Sequence, residues 1–69
     1  MTQNPNFPSM AQLLRRPVVE QMTGLSRTHI YRMMAAGEFP QSVSIGARAV
    51  AWRSDEVSAW IESRTRKAA

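Results

Sequence analysis

Thr23–Pro40, TGLSRTHIYRMMAAGEFP, holds a glycine-leucine turn, a serine, and then a short run whose apolar residues recur at helical spacing. Ser26 is a good N-cap, because its hydroxyl can accept a hydrogen bond from an amide that the first helical turn leaves unpartnered. From it Ile30, Met33 and Met34 fall on one face, and Gly37 stands ready to close the helix in a left-handed conformation. With Ile30 set inward, a rotation of about 100° per residue turns Thr28, Arg32 and Ala35 outward, with His29 and Tyr31 on the flanks. Leu25 and Ile30 should anchor this helix to a preceding one. There Pro17 is placed as the first helical residue, where its missing N–H costs nothing, and Val18, Val19 and Met22 give a short apolar face that stops at Thr23–Gly24. Two short helices joined by such a turn read as a helix-turn-helix, whose second helix offers its solvent face to the major groove of DNA.

Beyond Pro40 the apolar period changes from helical to two. Val43 and Ile45 alternate with Ser42 and Ser44, and Val50 and Trp52 alternate with Ala49, Ala51 and Arg53. This predicts a two-stranded hairpin with Gly46-Ala47-Arg48 at its tip, glycine supplying the unusual backbone angle and Arg48 projecting into solvent. A lone hairpin is marginal, so Val43, Ile45, Val50 and Trp52 are expected to pack on the helices. Ser54 is expected to cap a last helix with Asp55 and Glu56 in its first turn and Val57, Trp60 and Ile61 as its buried stripe. The fold class is therefore mainly α with a small β-hairpin: a winged helix-turn-helix. Residues 1–12 read as a flexible arm, 13–63 as the domain, opened by Leu13 and Leu14 in an extended segment, and 64–69 as a basic tail. Phe39, Trp52, Trp60 and the mid-chain methionines read as core.

Sixty-nine residues make one small domain, and the chain has no cysteine for a disulfide or a thiolate zinc site. No apolar run reaches the roughly 18 residues that span a bilayer, and the start of the chain is polar rather than signal-like, which leads to the expectation of a soluble, cytoplasmic protein without a membrane partner. The net charge of +4 suggests a polyanionic partner. Between Met10 and Glu62, however, six arginines face five acids, a net of only +1, so placement matters more than the sum. Eight of the nine basic residues are arginine, which suits forked contacts to phosphate or guanine, although a GC-rich coding sequence gives the same bias.

The residues that carry the binding chemistry are Arg27, Thr28, His29, Tyr31, Arg32 and Arg48. Arg27 is placed to hold phosphate near the helix start and Arg32, a turn further on, to reach the groove; the alternative is a solvated face with Arg32 paired to a nearby acid. Thr28 and His29 lie in the first helical turn, where backbone amides also attract phosphate. Tyr31 either meets the nucleic-acid backbone or covers the edge of the core. Arg48 suits a narrow minor groove, or simply keeps the hairpin tip soluble. His29 is the only histidine and no cysteine accompanies it, so no metal and no cofactor are expected. An enzyme is hard to assemble: Asp55 and Glu56 are adjacent on a helix start and diverge by about 100°, and no glycine-rich phosphate loop or nucleophile with its base is present. No small-molecule substrate is expected.

The run from Leu13 to Ile61 resembles the AlpA family of small phage and prophage regulators, grouped with excisionases and the DNA-binding domains of MerR-type regulators. The matching pieces are Leu13-Leu14-Arg15, Thr23-Gly24-Leu25-Ser26-Arg27, Ile30-Tyr31-Arg32, Gly37-Glu38-Phe39-Pro40, Ile45-Gly46, Val50-Ala51-Trp52-Arg53, and Ser54 with Glu56-Val57 and Ala59-Trp60-Ile61. The resemblance implies a transcriptional regulator of phage or mobile-element genes that binds double-stranded DNA, with Arg27 and Ile30-Tyr31-Arg32 in the reading helix and Arg48 at the wing. It also leaves open an excisionase-like architectural role in recombination. Thr28-His29 stands where small hydroxyl residues are commoner in the family, and Gln41 and Ser44 stand where basic residues are frequent. A module docking on an integrase, the transcription machinery or another regulator is the reading from a different class. The last helix is too short for a coiled coil, so a monomer in solution is expected.

Overall fold

A computed structural model describes residues 10–64, so residues 1–9 of the expected arm and 65–69 of the expected tail lie outside the described residues. In chain order the elements are β1 (Leu13–Leu14), α1 (Arg16–Thr23), α2 (Arg27–Ala35), β2 (Val43–Gly46), β3 (Ala49–Arg53) and α3 (Ser54–Glu62). The protein is a winged helix-turn-helix.

Helix α1 starts at Arg16, one residue before the expected Pro17, and ends at Gly24, which takes φ 77° and donates its N–H to Glu20 O at 2.8 Å. The turn is held from within. The Thr23 hydroxyl donates to Val19 O at 2.8 Å and accepts the Leu25 N–H at 3.2 Å, carrying the chain out of α1 and into Ser26. Ser26 caps α2 as expected, its hydroxyl accepting the His29 N–H at 3.2 Å. At the other end Gly37, at φ 75°, donates to Met34 O and Glu38 donates to Met33 O, at 3.0 and 2.8 Å. These two bonds form a Schellman closure, which satisfies the last helical carbonyls and needs a residue without Cβ strain at Gly37.

The wing has three strands where sequence periodicity suggested two. β3 is central, pairing antiparallel with both β1 and β2 in the order β1-β3-β2. Leu14 stands opposite Trp52 and Leu13 opposite Arg53, and the seam continues past the strand, where Gln12 N–H donates to Ser54 Oγ at 2.7 Å and Ser54 N–H donates to Gln12 O at 2.8 Å. Ser54 is thereby turned from the capping role expected of it. α3 has no side-chain cap from its N-cap residue, although Asp55 Oδ1 accepts the neighbouring Glu56 N–H at 2.8 Å.

The hairpin packing also departs from expectation. Val43 pairs with Ala51 and Ser44 with Val50, and cross-strand partners share a face, so Val43 lies on the sheet face opposite Val50 and Trp52. The register then shifts between Ser44 and Gly46, leaving Ile45 as the extra residue of a bulge. Ile45 and Val50 remain 42% and 36% exposed, while Trp52 is fully buried. At the tip Gly46 takes φ 159°, the unusual angle expected of it, and Arg48 is also at positive φ, 60°.

The core joins Leu14, Val19, Ile30, Phe39, Trp52 and Val57, with Leu25, Met33, Met34, Trp60 and Ile61 packed partly against it. Every helix and two of the strands contribute, so helix-turn-helix and wing share one apolar centre. The indole N–H of Trp52 is satisfied by Pro40 O at 3.2 Å, as a buried polar group requires.

Candidate nucleic-acid interface

Because Ile30 is fully buried, the helical period turns Thr28 and Arg32 to the opposite side of α2, and Arg27, Thr28, His29 and Arg32 are all exposed. Tyr31 is 38% exposed, at the edge of the core. One edge of its ring meets the buried Trp52 ring, centroids 6.1 Å apart at 66°, while the Arg27 guanidinium carbon lies 6.0 Å from the Tyr31 ring centroid. Arg27 is thus leaned along the helix by an aromatic ring that is itself braced on the core.

Arg16, absent from the sequence-derived candidates, joins this cluster from α1. Its Nε donates to Glu20 Oε2 at 2.9 Å, and that bond, with the nearby Tyr31 hydroxyl adding, raises the guanidinium above its ordinary pKa. The Arg16–Glu20 spacing of four residues was visible in the sequence, but its approach to Tyr31 depends on how α1 crosses α2. Arg53 is likewise engaged, gripping Asp55 through two bonds of 3.1 and 2.8 Å and lying 4.0 Å from Glu56. The Arg53 hydrogen bonds hold the Asp55 carboxyl below the usual aspartate range.

Arg27, Arg32 and Arg48 differ from these. Among the described residues none of the three forms an ion pair, although Arg16 and Arg53 do. The pairing of Arg32 with a nearby acid, the alternative reading of its position, is therefore not formed. Arg48 stands on the β2–β3 turn, and no hydrogen bond or ion pair among the described residues ties it to α2. Gln41 is used within the fold: its Nε2 donates to Met34 O at 3.0 Å, at the end of α2. Among the described residues no cluster of histidine, cysteine, aspartate or glutamate has the makings of a metal site, and no helix is long and apolar enough to cross a membrane.

Residues 12–65 match the family of the prophage CP4-57 regulatory protein, AlpA. The chain belongs to the AlpA family. It is 47% identical over 60 residues to uncharacterized protein ORF88 of Enterobacteria phage P4, an alignment spanning 84% of this chain and 68% of that protein. It is also 31% identical over 65 residues to the DNA-binding transcriptional activator AlpA of Escherichia coli (strain K12), spanning 86% of this chain and 93% of that protein. Membership makes this a phage-type regulatory protein, and the AlpA match covers both helices of the motif, the wing and α3.

Proposed function

We propose that this chain regulates transcription of phage or mobile-element genes by binding double-stranded DNA in a sequence-specific way, through the unit formed by residues 13–63. Helix α2 enters the major groove. Arg27, held over Tyr31, anchors a phosphate near the helix start; Thr28, His29 and Arg32 face the base edges; Tyr31 meets the backbone; and Arg48 at the wing turn reaches phosphate or the adjacent minor groove. The observation that carries this reading is the placement of exposed arginines without an acidic partner among the described residues: two stand on α2 and one at the wing tip, with Arg15 before α1 and Arg64 after α3 also unpaired, whereas Arg16 and Arg53 are held by carboxylates. A guanidinium without a carboxylate keeps its donors available to phosphate or guanine. Similarity to a protein named as a DNA-binding transcriptional activator supports the same reading.

The test is binding of the purified chain to its own promoter and neighbouring element-end DNA against scrambled duplex of equal length, across a salt series. With about four to six phosphates neutralised, log affinity should fall against log salt with a slope of roughly −3.5 to −5.5. Preference for the native duplex of at least about 10³ at physiological salt is the expected outcome. A slope near zero, or equal affinity for both duplexes, would refute the proposal.

A further inference from the structure

Between the segment that follows α2, residues 37–43, and α3 the chain forms an open groove of about 1070 Å³. Its apolar surface comes from Met33, Phe39 and Trp60, with Glu38 and Glu56 along it and Arg64 at one end. None of Arg27, Thr28, His29, Tyr31, Arg32 and Arg48 lines it. We propose that this groove is a docking site for a segment of a partner protein that combines an apolar anchor with arginine or lysine.

The walls are fixed in advance. Trp60 Nε1 donates to Glu38 O at 2.9 Å, and the Phe39 and Trp60 rings meet edge to face with centroids 5.0 Å apart at 68°. Phe39 is 4% exposed, so the groove floor belongs to the same core that holds α2 and β3. A concavity held this way loses little freedom when a ligand enters, and its volume suits a few side chains.

Charge selects the occupant. The chain is basic, yet the carboxylates along this groove are Glu38, which forms no ion pair among the described residues, and Glu56, only 4.0 Å from Arg53 at the limit of pairing. Against the two carboxylates stands Arg64 alone, which leaves the groove lining formally negative and favours a cationic occupant. Arg64 demonstrates the chemistry within the chain itself, its guanidinium carbon 4.5 Å from the Trp60 ring centroid. With that face of Trp60 taken by Arg64, the groove offers a partner two things: carboxylates that complement a guanidinium or ammonium, and apolar surface for an anchoring side chain. An apolar-basic peptide meets both, on a surface separate from the proposed DNA-reading residues.

The full chain, labelled with ¹⁵N, is titrated with two short synthetic peptides of equal length, one of leucine and arginine and one with every arginine replaced by glutamate. The arginine peptide is expected to shift the Trp60 indole N–H and the amides of Glu38, Phe39 and Ala59 in a saturable way, and the glutamate peptide to leave them in place. Glu38→Lys with Glu56→Lys is expected to weaken binding about tenfold, whereas Glu20→Lys with Glu62→Lys, an equal reversal outside the groove, should change it less than about twofold. Glu38→Gln with Glu56→Gln, a milder change, should give an intermediate loss. Equal binding of both peptides, equal loss from both reversals, or shifts scattered over other acidic positions would overturn the proposal. Groove shifts that appear with protein concentration alone would assign the surface to a second copy and overturn it too. Duplex affinity of the Glu38→Gln, Glu56→Gln variant is expected to match that of the parent; a fall would place the groove in the DNA interface, against the proposal.

Discussion

Arg32→Ala separates recognition from folding more sharply than any other change in α2. Arg32 is exposed, forms no ion pair among the described residues, and stands opposite the buried Ile30. Alanine is at least as good a helix former, so stability should change by no more than about 0.5 kcal/mol. A side chain that reads a base edge contributes about 1–3 kcal/mol, which at 1.4 kcal/mol per factor of ten makes the expected loss of affinity roughly 5- to 150-fold. Fluorescence anisotropy against the native duplex and its single-position variants would show preference relaxed at one position. Were Arg32 instead on a phosphate, all sequences would weaken alike and the salt slope would become shallower by about 0.9. Arg53→Ala serves as the comparison, because that guanidinium already grips Asp55 and should be nearly silent in binding. Arg32→Ala that stays folded with unchanged affinity, slope and preference would refute the assignment of α2 as the reading helix.

Ser26→Ala removes the hydroxyl that accepts the His29 N–H, at an expected cost of about 1 kcal/mol and a melting temperature lower by roughly 4–8 °C in a domain this size; a melt unchanged within error would show that the cap contributes nothing. Ile30→Ala excavates a fully buried site, costing about 2–5 kcal/mol against the roughly 3–5 kcal/mol a core this small supplies, so the variant should be largely unfolded by circular dichroism at 25 °C. A cooperative melt near that of the parent would contradict the burial. The Arg53 hydrogen bonds lower the Asp55 pKa in the folded chain, so their stabilisation is present above the unfolded aspartate value of about 3.9 and is lost as pH falls through it and through the lower folded value. Melting temperatures of the parent and Asp55→Asn should therefore differ slightly near neutrality, converge in acid and differ less at high salt, since the pair is exposed; a gap that widens on acidification would contradict the sign.

Features set by neighbouring residues were legible in the sequence, and those set by register were not. The Ser26 cap, the Gly37 closure and the buried Ile30 each depend on groups within one or two helical turns, where spacing determines contact. The strand β1 is different. Leu13-Leu14 is too short to show a period, and its partner strand is reached only through the whole motif, as the bond between Gln12 and Ser54, 42 residues apart, illustrates. That same long-range bond removes Ser54 from the capping role its local context suggested. Alternation also misplaced Val43 and Ile45, because period two says which residues share a face but not which face meets the core, and the bulge at Ile45 breaks the count. In the candidate site, the outward set on α2 followed from the burial of Ile30. The bracing of Arg27 by Tyr31 and Trp52 required the approach of β3 to α2, which no local pattern contains.

Composition alone placed the chain only weakly among polyanion binders, since between Met10 and Glu62 six arginines nearly balance five acids. What distinguishes one surface from another is which charges the fold has already paired. Glu20 holds Arg16 in a half-buried pair, and Asp55 with the more distant Glu56 holds Arg53 at the surface; such pairs contribute little to stability but occupy the guanidinium donors involved. Of the arginines left without carboxylates among the described residues, Arg27 and Arg32 lie on the second helix of the motif and Arg48 at the wing tip, while Arg15 precedes α1 and Arg64 lies over the Trp60 ring. Glu38, without an ion pair among the described residues, lies in a groove with Phe39 and Trp60 that Arg64 lines at one end and Arg27, Arg32 and Arg48 do not. Two surfaces of opposite sign on so small a unit would weaken each other's field if every charge were free. Salt separates such charges only beyond a Debye length of about 8–10 Å, so binding at either surface is expected to depend on ionic strength.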